Sequence, residues 1–340
     1  MSNRMGQTWA VLWRALALVA FSSLAFNAAA KTLILTTDEV TGAYNASDRN
    51  QATNLLDKVV YEFGSSTVPG ASVTEMRGAL TTAGGISAST FTDSPGPYDL
   101  VVVVSIYRPI SSTAWSVLTD AVNNHLANAF VFFVDGCCNT TATAGPRGGN
   151  GNVTNFVTLL NATTGQTLSV GANQAGMVSS KLNTTSTYSG DFTGLNPLVG
   201  GWVTYLQGVP YNNNLYLPAG VNPVSPAPAT LPQSYGFLFP QTEMSNGQGA
   251  CLFGVVDSTL FDPSTIAWNA NRGKIGPAFT AAAEIGSTSC KVSPVTTTTP
   301  VTPVTTVTPV PVPVNNPTML ALLGAALLAL GAGVQMRRRG

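Results

Sequence analysis

Four stretches of the chain are apolar without the alternation of a half-exposed strand. They are KTLILTT (31–37), YDLVVVVSIY (98–107), AFVFFV (129–134) and ACLFGVV (250–256). Runs of β-branched and aromatic residues of this length are typical of strands that are covered on both faces, as in a parallel sheet. We therefore predict four buried strands.

Three further stretches repeat their apolar residues at helical spacing, and these are residues 50–64, 110–128 and 273–286. Ser111 or Ser112 is the predicted N-cap of the second helix. Strands and helices therefore alternate along the chain. This order predicts the α/β fold class, with an open and mostly parallel sheet flanked by helices, in a domain that spans residues 31–288.

Residues 139–249 interrupt this alternation. Gly, Asn and Pro are frequent there, and VNPVSPAPATLPQ (221–233) has too many prolines for regular structure. We predict long irregular insertions in this region, with GWVTYL (201–206) as one additional element.

Residues 1–30 have the layout of a secretory signal peptide. Basic residues precede the apolar run ALALVAFSSLAF (15–26), and the small residues Ala28 and Ala30 follow it. We predict export by the Sec machinery and cleavage by signal peptidase between Ala30 and Lys31. The alternative is a signal anchor that is retained.

Residues 289–316 are rich in Thr and Pro and include the run SPVTTTTPVTPVTTVTPVPVPV (293–314). Such a composition has little to bury, and its prolines favour the polyproline II conformation. We predict an extended stalk, with a reach of roughly 60–70 Å at about 3.1 Å per residue.

Residues 317–340 contain a short apolar segment followed by a basic end. As a helix, residues 319–336 span about 27 Å, close to the hydrocarbon thickness of a bilayer. Arg337, Arg338 and Arg339 follow the segment, and the positive-inside rule places them in the cytoplasm. We predict one C-terminal transmembrane helix, with the α/β domain outside the membrane.

The composition changes the picture of the surface. The chain is 44% hydrophobic and only 9% charged, against roughly 25% charged residues in a typical soluble domain. Its net charge is zero, but five arginines lie in the leader and the tail, and ten basic and fifteen acidic residues remain without them, a net of −5. Because a basic footprint is missing, nucleic acid is excluded as a partner.

Three aspartates follow predicted strands. Asp38, Asp135 and Asp257 lie at the carboxyl ends of the first, third and fourth apolar runs. Ligands of open α/β sheets bind at that edge, and three carboxylates there would hold a divalent cation such as Mg²⁺ or Ca²⁺. The alternative is that each aspartate caps a loop or a helix. Apart from this cation, we expect no cofactor.

Cys137 and Cys138, in the sequence DGCCN, follow a buried strand, as does the nucleophile of many hydrolytic α/β enzymes. A cysteine nucleophile normally needs a histidine base, and the chain has one histidine, His125. His125 lies near the end of a predicted helix, where it can favourably meet the negative helix terminus, and this is an ordinary structural position. An exported cysteine hydrolase built on Cys137 or Cys138 is kept as an alternative hypothesis.

Disulfide bonds are the other interpretation of the four cysteines, as is usual in exported chains. Cys251 opens the last predicted strand, and Cys290 follows an antiparallel helix, so both are expected at one edge of the sheet. We predict the Cys251–Cys290 bond. Cys137 and Cys138 either form a vicinal disulfide or pair elsewhere.

Five asparagines head N-x-S/T triplets, namely Asn45, Asn139, Asn152, Asn161 and Asn183. These triplets are acceptor sites for N-linked sugar in some exported proteins. A chain this rich in Asn and Thr forms them by chance, and we favour that interpretation.

The stretches 98–136 and 247–279 resemble the glutamine-amidotransferase-like α/β domains, in which strand, helix and strand lead to a turn that faces the ligand. Active members of that family use a Cys-His-Glu triad. No histidine follows Cys137 in this sequence. The resemblance therefore implies a non-catalytic member with a binding or structural role.

The C-terminal segment resembles the sorting signals that exosortases read in Gram-negative bacteria, namely the PEP-CTERM class and its IPTL-CTERM variety. The sequence here is NPTM (316–319), followed by the apolar segment and the arginines. The resemblance implies that Asn316, Pro317 and Thr318 lie at the recognition site of an exosortase-type enzyme. It also implies that the tail is removed and that the domain passes to the envelope surface or is released.

Together these patterns predict an exported, exosortase-sorted surface or matrix protein with a structural or adhesive role rather than an enzymatic one. A module that binds a ligand or cation through Asp38, Asp135 and Asp257 is the first alternative. The exported cysteine hydrolase is the second.

Overall fold

Hydrogen-bonded strands account for the apolar runs of the sequence. In the computed structural model, the strands are β1 (Lys31–Thr36), β2 (Ser72–Met76), β3 (Tyr98–Ser105), β4 (Ala127–Val134), β5 (Ser169–Gln174), β6 (Val178–Ser180), β7 (Leu198–Gly200), β8 (Val203–Gln207), β9 (Asn214–Tyr216), β10 (Gly236–Phe239) and β11 (Cys251–Val255). Seven of these form one sheet in the order β2-β1-β3-β4-β11-β10-β9, while β5 with β8 and β6 with β7 pair as two separate ribbons.

The helices lie between the strands along the chain. They are α1 (Ala46–Phe63), α2 (Ser89–Thr92), α3 (Ser112–Asn123), α4 (Gly149–Thr164), α5 (Ile266–Asn271) and α6 (Ile275–Ala283). The structure describes residues 30–37, 46–93, 97–105, 108–134, 149–174, 176–201, 203–224, 233–262 and 266–291. All of these belong to the unit Met1–Val295, and the unit Thr296–Gly340 lies outside the described residues.

The predicted fold class is confirmed as an α/β fold with a mostly parallel sheet flanked by helices. Strands β2, β1, β3, β4 and β11 run parallel to one another. Strand β10 is antiparallel to both β11 and β9. The five parallel strands follow the order 2-1-3-4-5, which is the flavodoxin-like order of doubly wound folds.

Side chains of the central strands alternate between two apolar cores, one on each face of the sheet. Leu33 and Val101 belong to the core that contains residues of α3 and α4. Ile34 and Val102 belong to the other core, with residues of α1 and α6. Because both faces are covered, the strands need apolar residues at every position, which explains the continuous runs in the sequence.

Helix α3 begins at one of the two predicted caps. The side-chain oxygen of Ser111 accepts a hydrogen bond from the Ala114 amide at 3.1 Å. This bond satisfies one of the amide groups that lack a partner within the first turn of a helix.

The prediction that residues 139–249 are irregular was wrong in part, because this region contains α4 and the strands from β5 to β10. Helix α4 buries Val153, Phe156 and Leu160, and β9 and β10 extend the main sheet. The Asn, Thr and Gly residues of α4 lower its helix propensity, but burial of its apolar face outweighs that preference. The predicted element 201–206 largely coincides with β8.

The predicted start of the stalk at residue 289 was also wrong, because the domain continues through Lys291. Ser289 and Cys290 are both fully buried. The Ser289 hydroxyl donates to Asp191 at 2.5 Å, which ties this segment to the turn at Gly190–Phe192. Within the described residues, every helix is too short or too polar to cross a membrane. The predicted helix at 319–336 and the rest of the stalk lie outside them.

Candidate functional site

The carboxyl edge of the parallel strands is where ligands bind in folds of this topology. Asp257 is the described member of the three aspartates predicted for this edge, and it lies two residues beyond β11. Asp38 and Asp135 lie outside the described residues. Asp257 is therefore the central residue of the candidate site.

Asp257 is fully buried, and both of its carboxylate oxygens accept hydrogen bonds. Oδ1 accepts from the Thr259 amide at 2.7 Å and from the Thr259 hydroxyl at 2.6 Å. Oδ2 accepts from the Gly201 amide at 2.9 Å. Hydrogen bonds to an ionised carboxylate are about twice as strong as neutral ones, so these donors compensate for much of the cost of burying the charge.

Tyr235 completes the surroundings of this carboxylate. Its hydroxyl donates to Asp257 Oδ2 at 3.3 Å, from the residue that precedes β10. Burial raises the pKa of Tyr235 well above its ordinary value, and the neighbouring Asp257 charge raises it further. The phenol therefore stays protonated and acts as a donor throughout the neutral range.

Two glycines allow the chain to lie directly over the Asp257 carboxylate. A Cβ atom at Gly200 would overlap both Asp257 Oδ2 and the Tyr235 hydroxyl, and one at Gly201 would overlap the Thr259 side chain. The segment then continues into β8, where the Thr204 amide donates to the Val256 carbonyl at 3.2 Å. The carboxyl end of β11 and the adjoining amino end of β10 are therefore covered by residues of β7 and β8 and by Gly201.

The strand order separates the three aspartates that the sequence suggested as a group. Strands β4 and β11 are neighbours, so Asp135 and Asp257 follow adjacent strands. Strand β1, which precedes Asp38, is three strand spacings from β11, or about 14 Å. Calcium ligands lie about 2.3–2.6 Å from the ion, so residues after β1 would have to cross two strands to share one cation with Asp257.

Among the described residues, no three Asp, Glu, His or Cys side chains lie together as a metal-binding group. The Asp257 oxygens that a cation would need already accept bonds from Thr259 and Gly201. The arrangement around Asp257 fits a structural role, and the cation site stays a prediction.

His125 lies at the opposite edge of the sheet from the strand end that Cys137 and Cys138 follow. It precedes β4 by two residues, whereas the cysteines come after that strand, whose eight residues span about 25 Å. Its Nδ1 atom is 3.0 Å from the side-chain nitrogen of Gln241. Cys137 and Cys138 lie outside the described residues, and the cysteine-hydrolase hypothesis gains no base from this position.

The surroundings of His125 also act on its charge. Burial lowers its pKa below the ordinary value, which favours the neutral imidazole. The residue also adopts a positive φ of 52° just beyond helix α3. Desolvation therefore outweighs the attraction between a cationic ring and the helix terminus.

The amino edge of the sheet also contains the Cys251–Cys290 disulfide, with an S–S distance of 2.01 Å and a Cα–Cα distance of 5.4 Å. Cys251 is the first residue of β11, and both cysteines are fully buried. The Gln241 amide donates to the Cys290 carbonyl at 3.2 Å. The bond therefore joins the end of the described domain to an interior strand of the sheet.

Asn152 and Asn183 hold loops from within the fold. Asn152 is fully buried and bonds the Ser105 hydroxyl at 2.5 Å and the Ile110 amide at 2.8 Å. Asn183 is also fully buried and donates to the Asn214 carbonyl at 3.0 Å. These two side chains are engaged as internal connectors, which agrees with the interpretation that their N-x-T triplets occur by chance.

A second buried carboxylate, Glu62, lies at the junction of α1 and α6. Its oxygens accept hydrogen bonds from the amides of Gly273, Ile275 and Gly276 at 2.6, 3.0 and 3.2 Å. Burial raises the pKa of Glu62, while these bonds oppose the rise. No sequence pattern indicated a role for Glu62, because this residue lies inside an ordinary amphipathic helix pattern.

A shallow cleft of about 260 Å³ opens beside this junction, lined by Asp191, Gly194, Gly273, Lys274, Pro277 and Ala278. The charged groups of the lining have partners within the fold. Lys274 donates to the Ala270 carbonyl at 2.8 Å, and Asp191 accepts from Ser289. The cleft therefore offers little that would select a ligand.

Comparison with known proteins gives no match to a family model and no match to a curated protein. Solved structures do match. A protein described as ThuA-like, from Bacteroides uniformis ATCC 8492, is 12% identical over 76% of this chain and 92% of its own, with a TM-score of 0.42. The mmIFT52 N-terminal domain is 8% identical over 75% and 98%, with a TM-score of 0.44. A ThuA-like protein from Parabacteroides merdae ATCC 43184 is 12% identical over 74% and 90%, with a TM-score of 0.39.

Proposed function

We propose that this protein is exported and displayed at the cell surface or in the extracellular matrix, where it has a structural or adhesive role. The observation that carries the proposal is the buried Cys251–Cys290 disulfide. Disulfides form and persist in oxidising compartments outside the cytoplasm. A domain that is tied by such a bond fits the signal peptide predicted for residues 1–30.

The surroundings of Asp257 support a role without catalysis. Its carboxylate is enclosed by donors from three separate segments, Gly201, Tyr235 and Thr259. A catalytic acid or base must reach a substrate, whereas this group is fully buried and holds the cover of the sheet in place.

The C-terminal region supplies the route to the surface in this proposal. Residues 292–340 combine a Thr/Pro-rich stalk, the NPTM sequence, an apolar segment and three arginines. We infer that the apolar segment holds the exported chain in the inner membrane until an exosortase-type enzyme cuts near Asn316, Pro317 and Thr318. The domain then moves to the surface with its stalk attached.

The experiment is the intact mass of the mature protein from its native cells, together with its partition between membrane and soluble fractions. We expect an N-terminus at Lys31 and a C-terminus near residues 316–318. A mass that includes Gly340, in a protein that stays with the inner membrane, would reject the sorting signal and leave a plain membrane anchor.

A matched pair of variants sharpens this experiment. The double substitution Pro317→Ala and Thr318→Ala removes the sequence that the enzyme is proposed to read, so the uncut form is expected to accumulate. The control changes Thr308→Ala and Pro309→Ala, which are the same two residue types in the opposite order, within the stalk. If both variants are cut equally well, recognition does not depend on residues 317 and 318.

A further inference from the structure

The described domain ends at a firmly held exit point. Lys291 follows Cys290, and its amide donates to the Ser287 carbonyl at 3.2 Å. Its side-chain nitrogen lies 5.3 Å from the centre of the Tyr188 ring. Any force on the residues beyond Lys291 therefore enters the domain at Cys290.

The disulfide partner of Cys290 lies inside the sheet. Cys251 opens β11, which pairs with β4 on one side and with β10 on the other. Residue 251 is in register with Ala129 of β4. A force that reaches Cys251 therefore acts on a strand with hydrogen-bonded neighbours on both sides.

The segment between the two cysteines is attached less directly. Residues 252–289 contain β11 and then α5 and α6, which are held by side-chain packing and by a few polar contacts. Glu62 accepts from the amides at the start of α6, and the Asn271 side chain donates to the Val199 carbonyl at 2.7 Å. Without the disulfide, a force applied at Cys290 would act on α6 and α5 before it reached β11.

We propose that the Cys251–Cys290 disulfide is a mechanical lock that carries tension from the stalk directly to β11 and leaves residues 252–289 unloaded. The inference rests on the proposed function, in which the stalk tethers the domain. Both cysteines are fully buried, so the bond is shielded from external reductants while the domain is folded. The disulfide holds the two Cα atoms 5.4 Å apart, whereas the two cysteines are 39 positions apart along the chain.

Single-molecule pulling on the full-length oxidised chain in detergent tests the lock. Handles are attached at Lys31 and at Val292, which follows the exit point. In a second preparation, the C-terminal handle is moved to Asn269, an exposed residue of α5 inside the disulfide loop. Both preparations keep the disulfide and the fold, so they differ only in where the force enters.

We expect no extension before the main rupture when the handle is at Val292. With the handle at Asn269, an early step of up to roughly 50 Å is expected, because the 14 residues from Val256 to Asn269 can be drawn out while β11 stays in the sheet. Equal traces from the two preparations, or an early step in the Val292 preparation alone, would overturn the proposal.

The double variant Cys251→Ala and Cys290→Ala gives a second measure. When it is pulled from Val292, its total extension is expected to exceed that of the oxidised protein by roughly 130–140 Å, with part of the gain released before the main rupture. A single rupture at an unchanged force, with the whole gain released in it, would mean that the bond does not protect α5 and α6. If the variant does not fold, the two-handle comparison still decides.

The results of the pulling experiments do not depend on whether the C-terminal tail is removed. A lock that works in a protein whose mature C-terminus is Gly340 would mean that the lock stands and the sorting proposal falls. If the tail is cut as proposed but the domain gives an early step when it is pulled from Val292, the sorting proposal stands and the lock proposal falls.

Discussion

Among the described residues, two carboxylates are completely buried, and they are stabilised in different ways. Asp257 accepts hydrogen bonds from Gly201, Tyr235 and Thr259, a mixture of backbone amides and side-chain hydroxyls. Glu62 accepts from backbone amides at the start of α6. The first joins the sheet to its cover, and the second joins two helices of one face.

This difference indicates that the hydrogen-bond donors around a buried carboxylate decide its role more than its place in the fold does. Asp257 lies at the edge where ligands bind in this topology, yet its oxygens are held by the chain itself. Glu62 lies between two helices on one face of the sheet and neutralises the partial positive charge of a helix N-terminus. Neither group is left to meet a substrate.

The largest expected effect comes from removing Asp257. Asp257→Ala leaves the donors of Gly201, Thr259 and Tyr235 buried without this acceptor, and each such group costs about 1–3 kcal/mol. We expect a loss of about 3–5 kcal/mol in the free energy of unfolding, measured by chemical denaturation. Asp257→Asn is the control, since it keeps one acceptor oxygen and should lose less. Equal losses in the two variants would contradict the assignment of both oxygens.

A smaller effect is expected from filling the space above Asp257. Gly200→Ala places a methyl group against the carboxylate and the Tyr235 hydroxyl, so the cover must move outward. We expect a loss of about 1–3 kcal/mol, as is typical of overpacking, in the same denaturation measurement.

Gly194→Ala is the matched control for this substitution, because the added methyl group would meet no atom within 4 Å. Its effect should stay within about 0.5 kcal/mol, as for most surface changes. A neutral result for Gly200→Ala would mean that the cover does not lie as close to Asp257 as described.

The smallest effect is the pH dependence contributed by Glu62. Burial raises its pKa above the ordinary value of 4.5, so the folded state holds this proton more tightly than the unfolded state does. The resulting stabilisation is complete below that ordinary value and is lost as the pH rises through the higher pKa of the folded state. Glu62→Gln cannot titrate, and the stability difference between wild type and variant should therefore narrow from pH 4 to pH 7.

The measurement is the free energy of unfolding of both proteins across that pH range. A difference that widens instead would mean that the three amide bonds to Glu62 outweigh its desolvation. The pKa of the Glu62 carboxyl would then be lowered in the folded state. Glu62 and Asp257 would in that case be more similar in how their carboxylates are stabilised.

Much of the fold was predictable because burial on both faces leaves a strong pattern. The apolar runs that became β1, β3, β4 and β11 have almost no polar positions, and Ser111 capped its helix as expected. Strand β2 was missed because an edge strand is covered less completely, and its side chains are exposed or half-buried. Helix α4 was missed because its polar residues hide a buried face.

The candidate site was predictable only in part. The position of Asp257 at the carboxyl edge follows from the end of its strand. Its partners Gly201 and Tyr235 are 56 and 22 residues away in sequence, in a region without a readable pattern. The contact of Glu62 with Gly273 spans 211 residues, and no local signal could have indicated it.

Both ends of the described domain leave the sheet at its amino edge, since Lys31 opens β1 and Lys291 follows the bond to the start of β11. These two strands are three spacings apart, or about 14 Å. Domains with neighbouring ends tolerate circular permutation and insertion into a host loop. A linker of a few residues between positions 291 and 31 would therefore close the domain into a ring, and its new ends could be opened at any exposed turn.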